Sequence, residues 1–315
     1  MRLQGAMPTT DLPSQTDAVD DLAQRVSRAT AIRHEELLAK HTTMRVGGPA
    51  ELYVEPATDE DLAVVVAYCR ERTRPFFILG RGSNLLAKDG GFRGVVICLC
   101  HAHFSKVEVA GGHLKCGAGA KLKAVAVEAR RNGLTGLEFL EGIPGSVGGA
   151  LRMNAGAMGS ALFDVLESVR LMGFDGQVHE RDARALPAAY RRCPALTTHI
   201  ALSAVLRAHR GSREAIAQRM NEYSRRRWRS QPAAPSAGCI FKNPNSIPAG
   251  RLIDELGLKG TRVGGALVSA EHGNFILNDG SATARDICEL IEVIRQRARV
   301  ERGIELETEI EMIGE

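Results

Sequence analysis

The sequence predicts an α+β protein built from two or three packed units, and three observations support this prediction. The chain has 315 residues, and a single hydrophobic core usually stops growing at about 250 to 300 residues. Short apolar strands and amphipathic helical segments follow one another without an internal repeat. Two glycine-rich segments interrupt them. We therefore expect subdomains that share one cleft.

Composition and charge place the chain among ordinary globular proteins. It is 44% hydrophobic and 25% charged, with a net charge of +4, which suits anionic small molecules at least as well as nucleic acids. No apolar run approaches the roughly 20 residues of a membrane span. The seven cysteines are scattered without the spacing of a zinc site or a disulfide scaffold. We expect no metal, no membrane span, no nucleic-acid partner, and a cytoplasmic location.

The order of the elements divides the chain into four parts. Residues 1–20 lack the hydrophobic stretch of a signal peptide and have the composition of a disordered lead-in. Residues 21–100 and 101–230 each combine strands and helices. Residues 231–315 begin with a linker rich in proline and alanine. We expect the two middle parts to be subdomains of one unit and the last part to be a separate α+β domain.

Several local patterns predict individual elements. Residues 20–38 carry helical apolar spacing, and residues 122–131 form an amphipathic helix. A capping-box-like start at Thr283 opens a long helix that Gly303 ends. Residues 304–313 are predicted to be a strand that returns to the functional site.

A glycine turn follows the buried strand predicted at residues 75–79. It offers bare backbone amides and two short polar side chains, which together suit a pyrophosphate. The turn does not match G-x-G-x-x-G, so a Rossmann site is disfavoured, and an ordinary tight turn remains the alternative. The residues expected to contact the ligand are Gly80, Arg81, Gly82, Ser83, Asn84 and Leu85.

A second glycine-rich loop lies at residues 141–156, where so many glycines imply backbone close to a ligand. Close packing of a helix on a strand is the alternative for Gly148 and Gly149. Two such loops suggest a long ligand with two contact zones. The residues expected to contact it are Gly142, Ile143, Gly145, Ser146, Gly148, Gly149, Asn154 and Gly156.

Eight segments stand out along nearly the whole chain: HTTMRVGGPA, ILGRGSNLLAKDGGFRGVVI, LEFLEGIPGSVGGALRMNAGAMG, YRR, SAGCIFKNP, AGRLIDELGLKG, SAEHGNFILN and LETEIEMIG. In this order they resemble the UDP-N-acetylenolpyruvoylglucosamine reductase family. The resemblance implies an FAD-binding fold of the vanillyl-alcohol-oxidase (PCMH) type in two subdomains and a C-terminal substrate domain. It also implies non-covalent FAD, NADPH as reductant, and a step in peptidoglycan precursor synthesis.

The resemblance also implies three catalytic residues. Arg191 falls on the arginine that follows a tyrosine in the family, and Glu309 falls on a glutamate near the C-terminus. Cys239 stands where the family usually has a hydroxyl-bearing proton donor. In the implied reaction the flavin N5 gives a hydride to an enolpyruvyl methylene, Arg191 and Glu309 stabilise the resulting charge, and Cys239 donates the proton. A thiol, with a reference pKa of about 8.5, is competent for this step if it stays protonated, but a nearby guanidinium would favour the thiolate.

Each of these three residues also has a structural explanation. Cys239 can be a small buried apolar residue, and Arg191 can belong to a solvated basic turn. Glu309 alternates with Glu307 and Glu311, so the strand register decides which carboxylate faces the site.

Further residues are assigned by their place in the family segments. The basic run at residues 225–229 includes a tryptophan, which invites a nucleic-acid hypothesis, but we favour a contact with the flavin ring and choose Arg226 for it. The distance along the chain from Arg191 to Cys239 resembles the compact, second type of the family. The residues expected to hold the nucleotide sugar are Tyr190, Lys242, Asn243, His272 and Asn274.

Two other functions remain open at this point. Another flavin oxidase or dehydrogenase of the same fold would use the same two glycine-rich segments. A flavin-binding or nucleotide-binding regulator would keep those segments and lose the chemistry. The joint presence of Arg191, Cys239 and Glu309 argues against the regulator.

Overall fold

The structure is a computed structural model that describes residues 15–315. Within them the helices are α1 Gln15–Ala23, α2 Asp59–Glu71, α3 Leu122–Arg131, α4 Val147–Arg152, α5 Leu162–Val165, α6 Arg213–Ser230, α7 Ala249–Glu255 and α8 Ala284–Arg302. Of the lead-in predicted at residues 1–20, residues 1–14 lie outside the described residues. Residues 15–20 belong to α1 instead, which the fully buried Leu22 anchors on the core.

The strands of the described residues are mostly short. They are β1 Ala31–Leu37, β2 Pro49–Glu55, β3 Phe76–Leu79, β4 Leu85–Ala87, β5 Phe92–Cys98, β6 Val107–Ala110, β7 His113–Gly117, β8 Leu134–Thr135, β9 Gly156–Ala157, β10 Ser160–Ala161, β11 Leu166–Gly173, β12 Val178–Asp182, β13 His199–Arg207, β14 His209–Arg210, β15 Arg262–Val263, β16 Ala266–Val268, β17 Ile276–Asn278 and β18 Glu311–Ile313.

Two sheets form the larger part of the molecule. The first has the order β1-β2-β5-β3, in which β2, β5 and β3 are parallel and β1 is antiparallel. The second is antiparallel, with the order β12-β11-β13-β7-β6. Buried side chains from both sheets, α2 and α3 form one continuous core. Because the two sheets share this core, the loops between them meet in a fixed arrangement.

The last part of the chain has a core of its own. Strands β15, β16 and β17 form an antiparallel sheet, and α7 and α8 pack with it around Phe241 and other buried residues. Helix α8 begins with both hydrogen bonds of a capping box between Thr283 and Asp286, and it ends at Gly303, whose φ is 63°. The predicted start and stop of this helix are therefore confirmed.

The C-terminal segment returns to the first part of the chain. Strand β18 pairs in parallel with β4, so that Glu311 lies opposite Leu85 and Ile313 opposite Ala87. Strand β4 directly follows the first glycine turn. The pairing therefore connects the C-terminal segment to the segment predicted to bind phosphate.

Two predicted elements are wrong. The helix predicted at residues 20–38 ends with α1 at residue 23, and residues 31–37 form β1, because six positions there find partners on β2 and this ladder outweighs the local helical spacing. The strand predicted at residues 304–313 shrinks to β18, because β4 offers only three partner positions. The helix predicted at residues 122–131 matches α3.

Three further findings concern the described residues only. None of their helices is both long and apolar enough to cross a bilayer. No group of three or more His, Cys, Asp or Glu side chains among them is placed to hold a metal ion. The seven cysteines all fall in this part of the chain, and each is a free thiol.

Candidate active site

Two adjoining cavities form one long cleft. The larger has a volume of about 660 Å³ and is lined by β3, the end of β5 and the start of α4. The smaller has a volume of about 260 Å³ and is lined by parts of both glycine-rich segments and of the C-terminal segment. The larger volume is in the range of small-molecule sites. The residues that line both cavities are Phe77, Ile78, Leu79, Gly80, Arg81, Ser146, Gly149 and Arg152.

The first glycine turn presents unused backbone donors to this cleft. Gly82 has a φ of 61°, and a Cβ atom there would lie 2.2 Å from the His41 carbonyl oxygen, so only glycine fits. Among the described residues, no hydrogen bond uses the backbone amides of residues 81–84. Four successive free amides beside a cavity are suited to phosphate oxygens.

The two polar side chains of this turn bond to other segments of the protein, although they were predicted to contact the ligand. The Ser83 hydroxyl donates to the Pro144 carbonyl at 2.7 Å, and the Asn84 amide donates to the Glu309 carbonyl at 3.1 Å. Both residues line the smaller cavity. Their side chains hold the turn against the second glycine-rich loop and the C-terminal segment, and the amides remain as the phosphate donors.

The second glycine-rich loop packs against the first turn. A Cβ atom on Gly80 would lie 2.9 Å from the Ser146 hydroxyl oxygen. Ser146 caps α4 by accepting a hydrogen bond from the Gly149 amide at 3.4 Å, and the Gly148 amide donates to the Ala118 carbonyl at 2.8 Å. Protein acceptors thus engage amides at the start of α4. The loop shapes the cleft more than it donates hydrogen bonds to it.

Most of the loop residues predicted to contact a ligand lie on the cleft, and one does not. The Asn154 side chain donates to the Ala189 carbonyl at 3.4 Å and accepts from the Phe163 amide at 3.3 Å. It lines neither cavity, so its predicted ligand contact is corrected to a role in fastening the segment before Arg191. The predicted residues that do line the cleft are Gly142, Ile143, Gly145, Ser146, Gly148, Gly149 and Gly156.

Arg191, Cys239 and Glu309 all line the smaller cavity. The Arg191 Nε donates to Glu309 Oε1 at 2.6 Å, and the Tyr190 ring centroid lies 5.0 Å from the guanidinium carbon. Arg191 has a φ of 56°, a backbone conformation that non-glycine residues rarely adopt. The fold thus holds three groups from distant parts of the chain around one space.

The backbone on either side of Cys239 is held by hydrogen bonds from other segments. Cys239 pairs with Phe275 as an isolated β-bridge, and the Glu309 amide donates to the Ile240 carbonyl at 2.7 Å. The buried Asn274 side chain accepts from the Phe241 amide at 2.9 Å and donates to the Phe241 carbonyl at 2.8 Å. Asn274 therefore supports the Cys239 segment and lines neither cavity, which corrects its predicted role in substrate binding.

Burial raises the pKa of both titratable groups among Arg191, Cys239 and Glu309. It raises the pKa of the Cys239 thiol to about 11; Glu309 adds to this rise, whereas Arg191 opposes it. Burial also raises the pKa of the Glu309 carboxyl above its ordinary value, and Arg191 again opposes the change. The thiolate that a neighbouring guanidinium would favour is therefore not the main form near neutral pH, because burial outweighs the guanidinium.

Glu309 and Glu311 both line the smaller cavity, whereas Glu307 does not. The Glu309 side chain is 10% exposed, against 75% for Glu307, which pairs with Lys242 at 3.0 Å. Glu311 pairs with Arg152 at 2.8 Å. The strict alternation of a strand does not apply here, because residues 304–310 lie outside any β-strand.

Other predicted residues lie away from the cavities. Arg226 is exposed on α6 and lines neither cavity, whereas Arg227 lines the smaller one and its guanidinium donates to the Gly142 carbonyl. The position of Arg226 therefore does not support the flavin contact that was predicted for it. Gln231, the residue that follows α6, lines the same cavity.

The remaining residues predicted to hold the nucleotide sugar line neither cavity, although Tyr190 is exposed beside Arg191. Lys242 forms the ion pair with Glu307. The Asn243 side chain accepts from the Ala249 amide at 3.0 Å at the start of α7. His272 Nδ1 accepts from the Asn274 amide at 3.1 Å. Asn243 and His272 thus bond to local backbone, and their contact with the nucleotide sugar stays a prediction.

The pKa of Cys239 leads to a test of its reactivity. We expect its alkylation by iodoacetamide to accelerate by about tenfold per pH unit from about pH 8 to about pH 10, because only the thiolate reacts and the pKa is about 11. A free thiol with a pKa of about 8.5 should level off in this range. Peptide-resolved mass spectrometry gives the rate at Cys239. A plateau below about pH 9 would contradict the burial argument.

Comparison with known proteins agrees with this geometry. Residues 50–182 match the family model of an FAD binding domain, and residues 231–313 match that of the UDP-N-acetylenolpyruvoylglucosamine reductase C-terminal domain. A reductase of this name from Clostridium novyi (strain NT) is 41% identical over 90% of this chain and 92% of its own length. One from Clostridioides difficile (strain 630) is 41% identical over 90% and 94%.

A solved structure gives the same result. The crystal structure of the reductase (MurB) from Thermus caldophilus matches with a TM-score of 0.78 and 40% identity, over 90% of this chain and 99% of that one. The predicted α+β fold, an FAD-binding domain of the PCMH type followed by a separate C-terminal domain, is confirmed. The free amides of the first turn fit the diphosphate of FAD, which is the cofactor. The chain therefore belongs to the UDP-N-acetylenolpyruvoylglucosamine reductase family of FAD-dependent oxidoreductases.

Proposed function

We propose that this enzyme reduces UDP-N-acetylenolpyruvoylglucosamine to UDP-N-acetylmuramate with NADPH as reductant, as one step of peptidoglycan precursor synthesis in the cytoplasm. The observation that carries the proposal is the convergence of Arg191, Cys239 and Glu309 in one cavity next to the FAD cleft. The names of relatives that are 41% identical support the substrate. A regulator that only binds flavin would have no need for this arrangement.

The geometry assigns a role to the Arg191–Glu309 pair. Bound FAD supplies the hydride that the enolpyruvyl methylene accepts. Arg191 uses its Nε for Glu309, which leaves both terminal nitrogens for a bidentate contact with the substrate carboxylate. The raised pKa of Glu309 favours a shared or bound proton. The pair can thus stabilise the negative charge that builds up on the carbon next to that carboxylate.

Cys239 supplies the proton in this proposal. A thiol with a pKa of about 11 is protonated at neutral pH, so the donor is present before the substrate arrives. Serine and cysteine both carry one transferable proton on a short side chain. The bridge to Phe275 and the support from Asn274 fix the backbone on each side of this donor.

Arg227 replaces Arg226 as the arginine proposed to lie beside the flavin. Its guanidinium is largely withdrawn from solvent, reaches the smaller cavity from α6 and donates to the Gly142 carbonyl. A fixed positive charge at this place would favour electron density on the ring carbonyls of a reduced flavin.

The function is tested by following the flavin colour without oxygen. NADPH should bleach the enzyme-bound flavin, and UDP-N-acetylenolpyruvoylglucosamine should then restore its absorbance. Bleaching without restoration by this substrate would reject the substrate assignment and leave the FAD assignment intact. Failure of NADPH to bleach the flavin would reject the reductant.

The role of Cys239 is tested by separating the two half-reactions in stopped flow. We expect Cys239→Ala to be reduced by NADPH at the normal rate but to lose the oxidative half-reaction by about 10²-fold or more, because the proton donor is missing. Cys239→Ser should keep substantial turnover. Cys288→Ala is the control, since this thiol lies on α8 and lines neither cavity. Unimpaired turnover of the alanine variant would remove Cys239 from the mechanism.

The neighbouring arginines of α6 provide a matched pair of variants. Arg227→Ala should raise the dissociation constant of FAD by about tenfold or more, because it removes a charged hydrogen-bond donor that holds the Gly142 loop. Arg226→Ala should leave that constant within about twofold, because an exposed side chain is lost. Flavin fluorescence measures both constants. Equal effects of the two changes would contradict the assignment.

A further inference from the structure

The narrow region where the two cavities meet has a distinctive charge. Of the residues that line both cavities, only Arg81 and Arg152 are charged, and both are cationic. No aspartate or glutamate lines the larger cavity. Any ligand that extends through both cavities must pass these two guanidinium groups.

The position of the catalytic residues fixes how FAD must lie in this cleft. Its isoalloxazine ring must reach the smaller cavity, because Arg191, Cys239 and Glu309 line only that one. The adenosine half must then extend into the larger cavity. The diphosphate that joins the two halves carries two negative charges and lies in the region between them.

Arg152 is held in place at this junction by two contacts. Its Nη1 donates to the Leu196 carbonyl at 2.7 Å, and its Nη2 donates to Glu311 Oε1 at 2.8 Å. A guanidinium has five N–H groups, so three remain for another acceptor. The side chain is 42% exposed. The Arg81 side chain makes no hydrogen bond within residues 15–315, whereas these two bonds orient the Arg152 guanidinium before a ligand binds.

We propose that Arg152 binds the FAD diphosphate at the junction of the two cavities, together with the free amides of residues 81–84. Leu196 and Glu311 hold the guanidinium so that its remaining N–H groups face the phosphate oxygens. Charge-assisted, multiply donated contacts of this kind are the strongest that a side chain makes with phosphate. The proposal rests on FAD as cofactor and is independent of the sugar nucleotide that the enzyme reduces.

The test compares two flavins that differ in the diphosphate. Full-length enzyme is freed of flavin by bromide dialysis and titrated with FAD and with riboflavin, which lacks both phosphates. Arg152→Gln, which keeps an amide donor without the charge, should raise the dissociation constant of FAD by about tenfold or more and that of riboflavin by less than about twofold. Arg152→Lys should fall between Arg152→Gln and the unchanged enzyme.

A matched control and a salt series complete the design. Arg184→Ala removes an arginine that is 92% exposed and that, among the described residues, pairs only with Asp182, and it should change neither constant. The dependence of FAD binding on salt concentration should be shallower in Arg152→Gln than in the unchanged enzyme, because one cation fewer meets the diphosphate.

Three results would overturn the proposal. An FAD dissociation constant that stays within about twofold in Arg152→Gln would show that Arg152 does not bind the diphosphate. Equal losses for FAD and riboflavin would show a general structural role instead. An unchanged FAD constant with a raised KM for the sugar nucleotide would place Arg152 on the substrate. Colour loss with NADPH is a separate readout, so failure of the proposed reaction would be distinguishable.

Discussion

Asn84 makes the contacts on which the rest of the site depends. Its side-chain amide donates to the Glu309 carbonyl at 3.1 Å, and its own carbonyl accepts from the Glu311 amide at 3.0 Å. One residue of the first glycine turn therefore holds the C-terminal segment at two points, the Glu309 carbonyl and the Glu311 amide. Strand β18 then continues along β4. The first glycine turn and the backbone of Glu309 are thus parts of one hydrogen-bonded unit.

The chemical properties of the smaller cavity arise because its charged and titratable side chains are buried away from water. A buried ion pair gains little net stability, because desolvation offsets the attraction. What the burial of Arg191 and Glu309 provides is a fixed direction for the guanidinium and a carboxyl group with a raised pKa. The same burial keeps the Cys239 thiol protonated. The strained φ of Arg191 indicates that this arrangement is imposed by the surrounding fold.

Local patterns in the sequence predicted some features well and others poorly. Helix α8 was predictable because its capping box and its terminal glycine are local signals. The helix expected at residues 20–38 failed because β1 owes its form to β2, a distant partner. Family segments pointed to Arg191, Cys239 and Glu309, which line one cavity. They also pointed to Asn243, His272 and Asn274, whose polar groups bond to backbone. Whether a motif residue faces a ligand or a neighbouring amide depends on tertiary contacts that the motif does not encode.

The pairing of β18 with β4 has a consequence for biosynthesis. Strand β4 follows the cofactor turn early in the chain, and its partner comes more than 200 residues later. During translation, the side-chain and backbone hydrogen bonds of Asn84 cannot form until Glu309 and Glu311 have left the ribosome. A nascent chain that has already folded its first sheet would still lack a finished cofactor site. Flavin loading would then coincide with the end of folding, and an incompletely synthesised chain would hold the cofactor poorly.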